Sequence, residues 1–364
     1  MSRTLQIAGP WRLCTPDQAL LPFDERWIEL TSATSCRDAI VHMQVRGAPL
    51  IGAVAAFGLA FALREEASDE GLDSAVAWLG SARPTAVNLR WALALVQQGV
   101  RALAPCDRAQ AAWQIACAVC EADVQSNARI GQHGAALLKH LSRDNQRPLQ
   151  LLTHCNAGSL ATIAHGTALA PIYALHEAGI AVHVWVDETR PRNQGALITA
   201  WELARAGVAH TVIADNAGGL LMREGRVDAV ITGCDRVAAN GDVANKIGTY
   251  LKALAAFDND LPFYVACPVS TLDAAAPNGA AIEIEYRDTR EVTHTRARRR
   301  DGSVEEVALM MDNTVTLNPA FDLTPARLVT GLITEYGVVP AQAQSIAATL
   351  ERARDDDLIG SLAR

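Results

Sequence analysis

Two spacings of apolar residues alternate along this 364-residue chain and divide it near residue 146. Residues 1–45 read as short strands and turns leading into a helix around Cys36 to Met43. Apolar positions then recur every three or four residues, the spacing of a buried helix face. That pattern predicts a long helix from Pro49, a second over 86–100 and a third over about 108–141. The stretch Ser142-Arg143-Asp144-Asn145-Gln146-Arg147-Pro148 is polar and aperiodic, as a boundary is. From Leu149 short apolar runs take over, predicting strands at 149–153, 180–186, 208–214, 227–232 and 262–266. Helical stretches separate them at 159–178, 194–206, 216–224 and 243–256. Strand alternating with helix makes a parallel, doubly wound sheet. Residues 280–317 read as a β excursion and 325–354 as two closing helices. The expectation is an α/β protein with a smaller, mainly helical N-terminal domain over 1–145 and an α/β domain over 146–364.

Polar residues gather where the predicted strands end, the edge at which open α/β sheets bind ligands. The densest gathering is DAVITGCDRVAANGDVANKIGTY, Asp228 to Tyr250, read as strand, loop and helix. Its polar part offers Asp235, Arg236, Asn240, Asp242, Asn245 and Lys246. Thr153-His154-Cys155-Asn156 follows the first strand. Cys155 there is either a thiol activated by a helix N-terminus or a small buried side chain. Asp187 to Gly195 follows the second strand, with acids, arginines and amides that include Gln194. Asp215-Asn216-Ala217-Gly218-Gly219 is shorter and reads as a helix cap or a further wall of the site. In the helical half, Arg46-Gly47-Ala48-Pro49 and Arg83-Pro84-Thr85 each put an arginine beside a proline at a helix start. Two such starts can converge on one phosphate, with bidentate guanidinium bonds and free backbone N–H groups.

Composition narrows the partners. Half the residues are hydrophobic, 20% are charged and the net charge is −8. The basic residues cluster only at Arg296–Arg300, read as a solvated hairpin or loop, so a nucleic-acid partner is excluded. The eight cysteines have no disulfide spacing and the N-terminus has no signal-peptide core, which points to a reducing cytoplasm. Cys117 and Cys120 fall within a helical pattern and read as buried thiols, not zinc ligands. The apolar run Ala48–Leu63 is shorter than a membrane span and reads as a buried helix. No dinucleotide fingerprint, Walker motif or metal cluster appears, so no cofactor is expected. An acid, a thiol, a lysine, amides and arginines suit a small phosphorylated substrate and isomerase or lyase chemistry.

RGAPLIGAVAA, RPTAVNLRWAL, THCNAG, DETRPRNQGAL, GCDRVAANGDVANKIGTY and NPAFDLTP, in this order, resemble the methylthioribose-1-phosphate isomerases of methionine salvage. The wider family includes ribose-1,5-bisphosphate isomerases and regulatory subunits of a translation-initiation exchange factor. The resemblance implies a Rossmann-like C-terminal domain, a homodimer, and conversion of 5-methylthioribose 1-phosphate to 5-methylthioribulose 1-phosphate. It implies Cys155 and Asp235 as catalytic residues, with Arg46, Gly47, Ala48, Arg83, Gln194, Asn245 and Lys246 contacting substrate. A C1 phosphate blocks free ring opening, so an acid must protonate the ring oxygen, the role given to Asp235. Asp187 and Glu188 are the alternative acids. Transfer between C2 and C1 then runs through an enediol with Cys155 as base, or as a hydride shift. Other 5-deoxypentose 1-phosphates, ribose 1,5-bisphosphate and a non-catalytic sugar-phosphate or nucleotide sensor are the competing readings. Cys234 stands where the resemblance leads one to expect alanine, and Glu285-Tyr286-Arg287-Asp288 where it leads one to expect Glu-Glu-Arg-Ser.

Overall fold

The computed structural model describes residues 3–83, 86–141 and 147–356, and statements of absence below refer to these. At the start, β1 (Gln6–Gly9), β2 (Arg12–Pro16) and β3 (Trp27–Leu30) form an antiparallel sheet. Then come α1 (Ala33–Val41), α2 (Ala48–Glu65), α3 (Asp69–Gly80), α4 (Val87–Val100) and α5 (Pro105–Lys139). The run read as a buried helix is α2, with α1, α3, α4 and α5 packed around it. A helix that is apolar on every side has to be covered on every side. Leu50, Ile51, Val54, Phe57, Leu59 and Leu63 are accordingly all buried, and Trp113 of α5 packs edge-on against Phe57 and Phe61. By length and composition α2 could cross a membrane, but its apolar surface is already taken up inside the protein.

Helix α5 ties this region to the sheet. Its first half shares a core with α2, while Ile130 and Leu138 belong to the sheet's core. Gly134 permits the approach, because a Cβ there would stand 2.4 Å from the Pro171 ring.

The sheet is built from β4 (Leu149–Thr153), β5 (Val182–Asp187), β6 (Ala209–Ile213), β7 (Ala229–Thr232), β10 (Phe263–Ala266), β15 (Gly331–Thr334) and β16 (Gly337–Val339). Spatially the order is β16-β15-β10-β7-β4-β5-β6, with only β16 antiparallel. Counting the parallel strands alone gives 3-2-1-4-5-6, the order of Rossmann-type sheets. The order reverses between β4 and β7, and a crevice opens there. Between strands lie α6 (Leu169–Glu177), α7 (Ala200–Arg205), α8 (Ala217–Arg223) and α9 (Thr249–Asp258). A second sheet beside the crevice holds β8 (Arg236–Ala238), β9 (Val243–Lys246), β11 (Leu272–Asp273) and β14 (Phe321–Thr324). The short helix α10 (Arg290–Thr293), the hairpin β12 (His294–Arg298) and β13 (Val304–Ala308), and the final helix α11 (Ala343–Asp355) complete the chain.

Several expectations are corrected. Residues 235–246 are a hairpin rather than a loop, and helix α9 starts only at Thr249. The Asn240-Gly241 pair, with Gly241 at φ +93°, turns the chain back. Only 169–177 of the predicted 159–178 helix forms. Before it, the Thr162 hydroxyl bonds to Ala164 O and Gly166 N in place of a helical ladder. The 194–206 helix opens with a widened π turn, Gly195–Thr199. In place of two closing helices, 325–354 holds the β15–β16 hairpin and then α11, since Leu328-Val329-Thr330-Gly331-Leu332-Ile333-Thr334 is rich in strand formers. The Arg296–Arg300 cluster does lie on the β12–β13 hairpin. Pro84, Thr85 and the boundary residues Ser142–Gln146 lie outside the described residues.

The carboxyl of Asp123, a half-buried residue of α5, accepts the Ile163 amide at 2.7 Å. Enclosure by protein pushes it up to about 7, from 3.8 when free. The folded state therefore holds this proton more tightly than the unfolded chain. The associated stability is complete below about pH 4 and lost as pH rises through about 7. Thermal unfolding between about pH 5 and pH 8 should show the melting temperature falling, less so in Asp123→Asn. An equal or steeper fall in the variant would contradict this assignment.

Candidate active site

The reversal between β4 and β7 brings the sequence-predicted residues together. β4 ends at Thr153 and delivers Cys155, while β7 runs through Gly233 to Asp235. β9 carries Asn245 and Lys246, and Gln194 stands at the head of the π turn. From the helical region come Arg46, Gly47 and Ala48 at the start of α2, and Arg83 just ahead of α4. Every one of these lines a single cleft of about 1160 Å³, its open mouth included. Met43, Ile282 and Phe321 give it apolar walls.

Gly47 is required where it stands. It caps α2 at φ +93°, and a Cβ would lie 2.4 Å from the Ala161 carbonyl oxygen. Cys155 is also left-handed, at φ +66°, a conformation that costs a non-glycine residue energy and collects at functional sites. Two hydroxyls hold it there. Its N–H donates to Thr189 Oγ1 at 2.8 Å, and its carbonyl accepts from Thr199 Oγ1 at 2.7 Å. The thiol faces Gln194 Oε1 at 3.6 Å.

Burial dominates the electrostatics. Water reaches Cys155 and Asp235 through the mouth, yet protein surrounds both closely, and desolvation raises both above their ordinary ranges. Lys246 and Arg46 pull the other way on each, weakly enough that burial prevails. The same desolvation lowers Lys246 and Arg46. Lys246 Nζ donates to Ala320 O at 3.0 Å and lies 4.6 Å from the centre of the Phe321 ring. Arg236 aims its guanidinium at Asp273, 3.2 Å away, and so does not hold Asp235 ionised despite adjoining it in sequence.

Other expected contributors turn out to be scaffold. Asp187 is fully buried, 2.8 Å from His154 Nδ1 and 3.1 Å from Lys252 Nζ, outside the cleft. Asp215 is not a helix cap. Its carboxylate accepts the Thr189 and Arg190 amides at 2.7 and 2.8 Å and so shapes the loop that presents Gln194. His154, Asp187 and Asp215 have ligand atoms within 4.8 Å of one another, a spacing a metal could use. Lys252 already serves them, pairing with Asp187 and donating to the Asp215 carbonyl. Arg192 pairs with Glu291 at 2.8 Å, and Arg190 donates to Val292 O, anchoring the β excursion.

Sequence reasoning did not assign Asn156, Glu202, Glu285 or Arg287 to the site, although it noted the stretches holding Asn156 and Glu285–Arg287. Asn156 accepts the Arg46 guanidinium and donates to the buried Glu202 at 2.6 Å, so Arg46 is aimed from behind. Glu285 lies 3.6 Å from Arg83 and 3.1 Å from Arg287, which reaches the cleft from the excursion. Asn156 sits in the same motif as Cys155 and was within reach. Glu202, on α7, carries no local signal.

A family model described as Initiation factor 2 subunit family matches residues 44–341, from just before Arg46 to beyond Phe321. The chain belongs to the Initiation factor 2 subunit family. Within what it resembles, a methylthioribose-1-phosphate isomerase from Dechloromonas aromatica is 56% identical over 332 residues, 91% of each chain. The solved 5-methylthioribose 1-phosphate isomerase from Pyrococcus horikoshii OT3 is 36% identical, with TM-score 0.83 over 97% of this chain and 96% of that one. The translation initiation factor eIF-2B subunit delta from A. fulgidus is 35% identical, with TM-score 0.79 over 96% of this chain and 100% of that one. The Initiation factor 2 subunit family thus offers this chain both an enzyme and a translation factor as relatives.

Proposed function

We propose that this chain is an aldose–ketose isomerase converting 5-methylthioribose 1-phosphate to 5-methylthioribulose 1-phosphate, in methionine salvage. The observation that carries the reading is the pairing of Asp235 and Cys155, both held toward their protonated forms by burial, in one cationic cleft. The extensive likeness to isomerases of that name supports it. In this reading the phosphate rests between Arg46 and Arg83, with the start of α2 at Gly47 and Ala48 adding N–H groups. Gln194, Asn245 and Lys246 contact the sugar.

The reaction then divides into two steps. Asp235 gives its proton to the ring oxygen, the C1–O bond breaks, and C1 becomes electron-poor. A thiol kept protonated is a poor base for the C2 hydrogen, which favours a hydride shift over an enediol. The hydride moves from C2 to C1 with its electron pair, and the C2 hydroxyl becomes the carbonyl as it loses its proton. The Asp235 carboxylate left by the first step can take that proton and be restored. The apolar walls Met43, Ile282 and Phe321 keep water from the electron-poor carbon.

The assembly in this reading is a homodimer in the cytoplasm. Leu220, Leu251 and Phe257 stand exposed on the packed helices α8 and α9, which supports an apolar contact with a second copy.

Incubation with 5-methylthioribose 1-phosphate carrying deuterium at C2, followed by NMR, tests the function. The ketose should appear with deuterium retained at C1. Deuterium lost to water would replace the hydride shift by an enediol. Sugar-phosphate binding without any ketose would overturn the isomerase and leave a sensor, as the likeness to the translation factor subunit allows. Asp235→Asn keeps the shape but has no proton to give. Its kcat should fall about 10²–10⁴-fold, with a much smaller change in KM; near wild-type kcat would remove Asp235 from the acid's role.

A further inference from the structure

Cys234 and Cys267 follow neighbouring strands, β7 and β10, whose ladder pairs Thr232 with Val265. Both cysteines lie just past the strand ends, and the ladder's register carried on two residues sets Cys234 opposite Cys267. Neighbouring strands lie about 4.8 Å apart, inside the roughly 4.4–6.8 Å between Cα atoms that a disulfide spans. The two thiols influence each other's ionisation, and Cys234 Sγ lies 3.5 Å from the Thr271 hydroxyl. Both are free thiols. Their access differs: Cys267 is wholly buried, whereas Cys234 is half-buried and lines the cleft beside Asp235.

We propose that Cys234 and Cys267 are a redox-modification site, at which a peroxide closes a disulfide that displaces Asp235 and halts turnover. Cys234 is the thiol a small oxidant meets. As thiolate it attacks one peroxide oxygen, breaks the O–O bond and becomes a sulfenic acid, releasing hydroxide. The Cys267 sulfur then attacks Cys234 Sγ and expels a second hydroxide. The protons of the two thiols convert both hydroxides to water. In sum, two thiols and one hydrogen peroxide give one disulfide and two waters, and a dithiol reductant reverses the change.

The consequence follows from adjacency. Closing to an S–S bond of about 2.05 Å shifts Cys234 and pulls on the peptide that carries Asp235. A backbone bond from the Asp235 N–H to Ala244 O, at 3.0 Å, sets Asp235 at the start of β8. Misplacing a catalytic group by about 1 Å costs on the order of 10²-fold in rate. The loss of turnover rests on the isomerase reading; formation of the bond does not.

The test treats full-length protein with hydrogen peroxide at near-equimolar amounts, blocks remaining thiols and maps unreduced peptides by mass spectrometry. The expected result is a peptide pair joined through Cys234 and Cys267. Isomerase activity should fall at least tenfold and return with dithiothreitol. Cys267→Ser, away from the cleft, should start with wild-type activity, form no joined pair and show no dithiothreitol-reversible loss. Cys267→Ala suits the surrounding apolar cluster if serine unfolds the protein. Absence of the joined pair in wild type overturns the proposal whatever the substrate. A joined pair with unchanged turnover also overturns it. So does an equal reversible loss in the Cys267 variants, which would place the chemistry at Cys155.

Discussion

Four ionisable groups, Arg46, Cys155, Asp235 and Lys246, share one poorly solvated cleft, and the rest of the structure serves to keep them there. Desolvation is the largest influence on each, pressing every one toward its neutral form. Their mutual attraction opposes this, since cations favour the ionised acid and thiol. For the acid and the thiol desolvation outweighs that attraction, and both are raised above their ordinary values. A phosphate bound there, as proposed, would shift the balance further in that direction. In the proposed reaction its negative charge would hold Arg46 and Lys246 charged and oppose ionisation of Asp235.

The fold makes this arrangement affordable by placing it at the reversal in strand order, where β4 and β7 diverge. No side chain needs to reach far. Cys155 is held in a left-handed turn by two threonine hydroxyls, Arg46 is aimed by Asn156 and Glu202, and Lys246 rests on Phe321. The loop presenting Gln194 is pinned by Asp215, and the buried His154–Asp187–Lys252 cluster stands behind it. Charged groups in the scaffold are thus consumed by partners, while Arg46 and Lys246 in the cleft are oriented by neutral groups, Asn156 and the Ala320 carbonyl.

Much of this was legible in the sequence. Short apolar runs located β4, β5, β6, β7 and β10, because strands buried on both faces leave an uninterrupted apolar signature. The residues assigned to the site all line the cleft, because strand ends and helix starts are where such a fold concentrates function. Local spacing failed where pairing is long-range. β9 looked like a helix start because its partner β14 lies far along the chain, although Asn240-Gly241 was the turn signal of its hairpin with β8, and β15–β16 looked helical because its partner β10 is distant in sequence. Asp187 resembled an acid for catalysis, and only its burial against Lys252 and His154 reveals it as scaffold. Glu202 acts on Arg46 from α7, which carries no motif, and Arg287 reaches the cleft from a stretch noted only for its departure from the family's pattern.

The central claim is that burial shifts Asp235 toward its protonated form. Titration of the protein's carboxyl carbons by NMR, with the Asp235 signal assigned by its absence in Asp235→Asn, measures this directly. The account predicts a midpoint above the ordinary carboxylate value of 3.8, moving higher when a phosphorylated sugar is bound. A midpoint at or below that value in the bound protein would mean that the cations of the cleft outweigh its dryness, and would contradict it.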